Sequence, residues 1–177
     1  QYGLDQIRFF LFREVPFGND GDFSKDAIAQ RVNADLSNNF GNLIQRISSF
    51  IVKNSDSVVN KPDQFIEDDK KLLNKYNETL DNYLINMNSY SIDKALKNIF
   101  EFLSLVNIYV DNQAPWSLKK TDPNRMKEVL YIVTILIIKS SILLLPIIPS
   151  SIKKVLCIFS LSVKDFNLIE IKNFSPE

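Results

Sequence analysis

The chain has 177 residues, 45% of them hydrophobic, with 21 basic and 21 acidic side chains and no histidine. That length and apolar content support one domain with a real core, or one domain with an appendage. A formal net charge of zero excludes a broad cationic surface, so any nucleic-acid contact has to be local and shape-specific.

The absence of histidine removes Ser-His-Asp and Cys-His catalysis and histidine metal sites. The one cysteine, Cys157 in the apolar run KKVLCIF, reads as a small buried hydrophobe; it leaves no disulfide framework and no zinc set, which fits a reducing cytoplasm. None of the four glycines forms a phosphate-cradling loop. The opening, QYGLDQIRFF, has no initiator methionine, basic leader or signal-type apolar region, and reads as the interior of a longer sequence.

In chain order, Leu4 to Glu14 predicts a short helix with Leu4, Ile7, Phe10 and Leu11 on one face. Pro16, Gly18, Asn19, Asp20 and Gly21 follow as a turn-rich connection, and Ser24 or Asp26 can cap the next helix. That helix, Asp26 to Lys53, carries Ile28, Val32, Leu36, Phe40, Leu43, Ile47 and Phe50/Ile51 at steps of three and four, an amphipathic stripe. Gly41 inside it signals a close approach by backbone. After a polar loop (Asn54 to Asp63), a helix over Gln64 to Asn86 turns Leu72, Leu73, Tyr76, Leu80, Tyr83 and Leu84 inward. Ser91 is placed to cap a fourth helix, whose long stripe runs from Ile92 to Val110 and ends between Asp111 and Pro115.

Asp122-Pro123 starts a fifth helix, to about Leu145. Its run VLYIVTILIIKSSILLLPIIP approaches the ~20 apolar residues that cross a bilayer. Lys139, Ser140 and Ser141 interrupt the run and Pro146 shortens it, so the expectation is the central helix of a bundle. Ser150 or Ser151 caps a sixth helix, Ile152 to Phe159. The fold expected is an all-α helical bundle: an entry segment over 1–24, the bundle over 25–161 and a tail over 162–177.

Two stretches carry chemistry. A polar row (Asp35, Asn38/Asn39, Asn42, Arg46) runs beside the stripe of the long helix, and Asn42 and Arg46, four apart, project from one patch. An amide and a guanidinium so placed offer several donors and an acceptor to a planar polar ligand such as a nucleobase edge. The second stretch, YVDNQAPWSLKK (Tyr109 to Lys120), holds the only tryptophan, Trp116, on what reads as a loop after a helix end, with Lys119 and Lys120 behind it. Such a group suits base stacking backed by phosphate attraction. A solvated helix face and a tryptophan folded onto the core account for the same residues.

REVPFGNDGDFS (Arg13 to Ser24), NADLSNNFGNLIQR (Asn33 to Arg46), YVDNQAPW (Tyr109 to Trp116) and LLPIIPSSIKKV (Leu144 to Val155) occur in an order and spacing that resemble bacterial methionyl-tRNA synthetases. The first and third are specific to that synthetase; the LLPxxP pattern is shared more widely. The resemblance covers nearly the whole chain and implies the C-terminal part of such an enzyme: the end of the stem-contact segment, then the helical anticodon-binding domain. It implies that Asn42, Arg46 and Trp116 read the anticodon of tRNA-Met, with Lys119 and Lys120 as phosphate contacts.

The parent enzymes carry a His-Ile-Gly-His type signature and a Lys-Met-Ser-Lys-Ser loop. A chain without histidine lacks the first, and Met87 and Met126 stand in the wrong contexts for the second. The expectation is therefore an RNA-binding portion of a cytoplasmic ligase. It has no cofactor or metal of its own, while the parent uses ATP with Mg2+. Its partners are tRNA-Met and the catalytic domain of the same polypeptide, not a membrane. The alternatives are a helical protein-interaction scaffold, or the anticodon domain of another class I synthetase.

Overall fold

The computed structural model describes residues 2–16, 18, 21, 23–55 and 58–165, and all regular structure among them is helical. The helices are α1 (Leu4–Glu14), α2 (Lys25–Arg31), a π-helical segment (Val32–Gly41) that runs into α3 (Asn42–Asn54), α4 (Glu67–Asn88), α5 (Ile92–Gln113), α6 (Pro115–Thr121), α7 (Pro123–Leu144) and α8 (Pro149–Ile158), followed by a 3-10 turn (Val163–Asp165). Asn19 and Asp20 of the expected turn, and the tail from 166 onward, lie outside the described residues.

α7 is the centre. Every residue from Val129 to Leu144 is buried, as expected of a helix apolar nearly all round. The polar residues that interrupt its run are inside the bundle as well. The Ser141 hydroxyl donates to the Ile137 carbonyl (2.7 Å), and the Lys139 ammonium lies 5.3 Å from the centre of the Tyr76 ring. Burial holds the Lys139 amine below the usual lysine range. No described helix is long and apolar enough to cross a membrane.

α4 and α5 pair antiparallel, with Tyr76 edge-on to Phe102 (5.5 Å) and the Tyr109 hydroxyl donating to Asp69 (2.6 Å). α4 runs alongside α7 in the same direction, from Asp69–Arg125 at one end to the Tyr83 hydroxyl on the Leu143 carbonyl (2.9 Å) at the other. α1 docks across the far end: Phe9 meets Phe100 edge-on (5.2 Å), and Arg8 donates to the carbonyls of Pro146 and Ile147.

Several local expectations change. In α1 the buried residues are Asp5, Phe9 and Phe10, while Leu4 and Leu11 face out, because Phe9 enters the main core and Phe10 packs with Ile28 and Val32. In α4, Leu84 is exposed and Leu73 only partly buried. Ser24 caps α2 as expected, accepting from the Ala27 N–H (3.2 Å), and Asp122 caps α7 through the Arg125 N–H (3.0 Å). Ser91 precedes α5 without a side-chain cap bond. Neither Ser150 nor Ser151 caps α8; the buried Asp5 of α1 does, its carboxylate accepting from the Ser151 N–H (2.6 Å). Cys157 is exposed, not buried, because α8 faces the core through Ile152 and Leu156.

The long second helix is continuous but not uniform. Ile28, Val32, Leu36 and Phe40 recur at steps of four, and in an α-helix of 3.6 residues per turn such a row drifts around the axis. In the wider π turn a step of four falls short of a full turn and so offsets that drift, which keeps the row packed inward, from Ile28 and Val32 beside Phe10 to Phe40 in the main core; π turns inside helices accompany functional sites. Gly41 closes this segment: a Cβ there would lie 2.9 Å from the Leu36 carbonyl oxygen. The close approach expected at Gly41 comes from the helix's own widened turn.

Candidate nucleic-acid interface

α3 begins where the π segment ends, and its first two turns carry Asn42, exposed, and Arg46, half-buried. Leu43, Ile44 and Ile47 on the opposite side of the same turns are buried, which fixes where the polar pair points.

The earlier part of the polar row is committed to neighbours. Asp35 sits between Arg13 (3.2 Å) and Arg31 (3.6 Å). The Asn39 amide donates to the Phe100 carbonyl (3.0 Å) and the Ser104 hydroxyl (2.9 Å), and accepts from Asn107 (2.9 Å), which ties the π segment to α5. Asn42 remains exposed beyond the last of these ties.

Arg46 is held from two sides. One guanidinium nitrogen is 2.6 Å from the Asp111 carboxylate, and the guanidinium carbon lies 5.5 Å from the centre of the Trp116 ring. Arg46 and Asp111 are both partly in water, so the ion pair contributes about 0–1 kcal/mol and the cation–π contact about 0.5–1 kcal/mol. Those contacts orient the guanidinium yet are weak enough to be exchanged for a ligand. Trp116 is 45% exposed, which leaves much of its ring open.

Trp116 stands on a helix, not a loop. Ala114 takes a left-handed conformation (φ 44°) that ends α5, and Pro115 starts α6 at once. Pro115 is buried and Leu118 packs on the core, so the helix presents Trp116, Lys119 and Lys120 outward. The proline at a first helical position was the sequence signal for this helix. Of the residues singled out from the sequence, Arg46 of α3 and Trp116 of α6 thus meet, with Asn42 one turn before Arg46 on the same helix and the two lysines on the same short helix as the ring. Asp111, in the middle of the YVDNQAPW motif, completes the patch; its place one helix turn before Pro115 was the available clue.

The family model described as "Anticodon binding domain of methionyl tRNA ligase" matches residues 59–172. The chain belongs to the methionyl-tRNA ligase family. A second family model, "tRNA synthetases class I (M)", matches residues 1–48, so Asn42 and Arg46 fall in one match and Trp116 in the other. The chain is 42% identical to a methionine–tRNA ligase of Rickettsia conorii over 159 residues, which is 88% of this chain and 31% of the relative. With that of Brucella suis it shares 44% over 160 residues, 90% of this chain and 31% of the relative. Its backbone matches Mycobacterium tuberculosis methionyl-tRNA synthetase, solved in complex with methionyl-adenylate, with a TM-score of 0.91 and 34% identity over 96% of this chain and 34% of that one. The chain therefore spans about a third of the length of these relatives. Among the described residues, no group of three or more cysteine, aspartate or glutamate side chains could hold a metal ion.

Proposed function

We propose that the patch of Asn42, Arg46 and Trp116 binds the anticodon loop of tRNA-Met and reads its CAU sequence for a methionine–tRNA ligase. The observation that carries this reading is the placement of Arg46 against both Asp111 and the Trp116 ring. A base unstacked from the loop lies on the open part of the indole, the usual way in which proteins read single-stranded RNA. Its pairing edge then faces the donors of Arg46 and the amide of Asn42. Cytosine shows an N4–H donor where uracil shows the O4 acceptor, so an acceptor fixed at that point favours cytosine. The Asn42 amide oxygen and the Asp111 carboxylate are the two acceptors of the patch. Lys119 and Lys120 supply phosphate attraction without sequence information.

In a full-length ligase the module holds the tRNA while a catalytic domain of the same polypeptide joins methionine to it, with ATP, accompanied by Mg2+, consumed in that step. A cytoplasmic site of action belongs to the same proposal. These 177 residues, with no histidine among them, carry no His-Ile-Gly-His signature and are expected to be inactive alone.

The test is a binding titration with an anticodon stem-loop. Trp116→Ala is expected to weaken binding by about 1–3 kcal/mol, the scale of one base–aromatic stack, and Trp116→Phe to recover part of the loss. Lys119→Ala is expected to weaken all RNAs alike and to reduce the salt dependence, as loss of one phosphate contact does. Unchanged affinity in Trp116→Ala would remove the ring from the interface.

A further inference from the structure

α6 is bounded on both sides by partners of one residue. Ahead of it, the Gln113 side-chain carbonyl accepts from Arg125 Nη2 (2.9 Å) and Nε (3.3 Å). Behind it, the Asp122 carboxylate accepts from the Arg125 backbone N–H (3.0 Å). Arg125 is itself anchored. Its two terminal nitrogens grip the Asp69 carboxylate at 2.7 and 2.8 Å, and Asp69 is 0% exposed. The Tyr109 hydroxyl and the Ile66 N–H complete the bonds to that carboxylate, at 2.6 and 3.1 Å.

The planar guanidinium spends one edge on a buried carboxylate and the next on the last residue of α5, a division for which five donors in a fixed fork are required. The short segment between Gln113 and Asp122 contains Trp116.

We propose that Arg125, anchored by Asp69 and joined to Gln113 and Asp122, is the positioning residue that fixes the α6 segment and so sets where the Trp116 ring stands for the RNA base. The proposal rests on the reading of Trp116 as a base platform. None of Arg125, Asp69 and Gln113 needs to touch RNA for it. Arg125→Lys keeps a positive charge opposite Asp69 but cannot span to Gln113. Gln113→Leu removes only the tie to α5 and leaves the buried pair whole. Tyr83→Phe removes a buried hydroxyl bond to the Leu143 carbonyl (2.9 Å) at the other end of α4 and α7, with no bond to Arg125, and serves as the control for general loosening.

Because Trp116 is the only tryptophan, its fluorescence in the full 177-residue chain reports the ring directly. Well below the melting temperature and without RNA, acrylamide quenching of that fluorescence is expected to rise in Gln113→Leu and Arg125→Lys and to stay at the parent value in Tyr83→Phe. Affinity for a CAU anticodon stem-loop is expected to fall roughly 3- to 10-fold in the first two, part of what a lost base stack costs.

Unchanged quenching in Gln113→Leu and Arg125→Lys would overturn the proposal, as would an equal rise in Tyr83→Phe. If Trp116→Ala loses affinity while both network variants bind as the parent does, the positioning role alone is overturned. If Trp116→Ala binds like the parent, the platform reading falls and this inference falls with it.

Discussion

Leu136→Asp is expected to destabilise the chain by several kcal/mol, a large part of the ~5–15 kcal/mol that holds a domain of this kind folded. Leu136 is 0% exposed and sits in the middle of α7, the helix buried on all sides. Truncation there to Ala would already cost about 2–5 kcal/mol through lost transfer energy and an unfilled cavity. An aspartate adds a carboxylate with no partner. At neutral pH it must either stay charged in a low-dielectric site or take up a proton, and both cost free energy. The loss should therefore shrink as the pH is lowered toward the carboxylate range. Leu136→Met, which conserves volume, is expected to cost less than about 1.5 kcal/mol. Urea unfolding followed by circular dichroism measures all three variants. A midpoint in Leu136→Asp equal to that of the parent would show that α7 is not the centre of the fold.

The second large effect belongs to the Asp69–Arg125 pair. The Arg125 side chain is 11% exposed, so Asp69→Asn leaves a nearly buried guanidinium without its counter-charge, a change that typically costs about 3–5 kcal/mol. The pair also gives stability a pH dependence of known sign. Burial alone would raise the Asp69 pKa, but the hydrogen bonds and charge of Arg125, with the Tyr109 hydroxyl, outweigh it and hold the carboxyl below its usual range. Tyr109 is pushed up, by burial first and then by the Asp69 carboxylate beside it.

A carboxyl whose pKa is lower in the folded than in the unfolded state stabilises the fold above its unfolded pKa. That contribution fades as the pH falls from the ordinary carboxylate range toward the folded value. The parent chain is thus expected to lose stability on acidification over that range more steeply than Asp69→Asn, which has no carboxyl there to titrate. Parallel pH profiles for the two proteins would mean that Asp69 is not held in its charged form.

The helical frame was legible because the apolar stripe of α5 recurs at helical spacing and α7 is apolar nearly all round, and because Ser24 and Asp122-Pro123 mark two helix starts where caps form. Asn42 and Arg46 could be paired from their spacing alone, since two residues four apart on a helix share a face whatever the tertiary fold. The meeting of Arg46 with Trp116 is a tertiary fact, and only the resemblance to a family anticipated that the two belong to one site.

The misses have physical reasons. Asp69 is one of three acids in the run EDDKK, and nothing local separates the one that ends up fully buried from the two that start the helix in solvent. Its partner Arg125 lies 56 residues away. Asp5 caps α8 from 146 residues away, so the serines beside that helix were the natural local candidates and the tertiary one prevailed. The π segment left a trace in the steps of four from Ile28 to Phe40, but the same residues also satisfy a broad α-helical stripe, and periodicity alone does not separate the two. Cys157 sits among apolar neighbours in sequence, yet its helix is short and meets the core on one side only, so its exposure depends on how α8 docks.

Base selectivity at the first anticodon position tests the central claim most directly. Arg46→Ala and Asn42→Ala are titrated beside the parent chain against CAU and UAU anticodon stem-loops at two salt concentrations. Groups that touch a base edge carry discrimination, whereas groups that touch its face or the phosphates carry affinity alone. The expected result is a parent that prefers the CAU loop and two variants in which that preference collapses at both salt concentrations, mainly through weaker CAU binding. Equal proportional losses for both loops, with the parent's preference intact, would contradict the assignment of Asn42 and Arg46 as base readers.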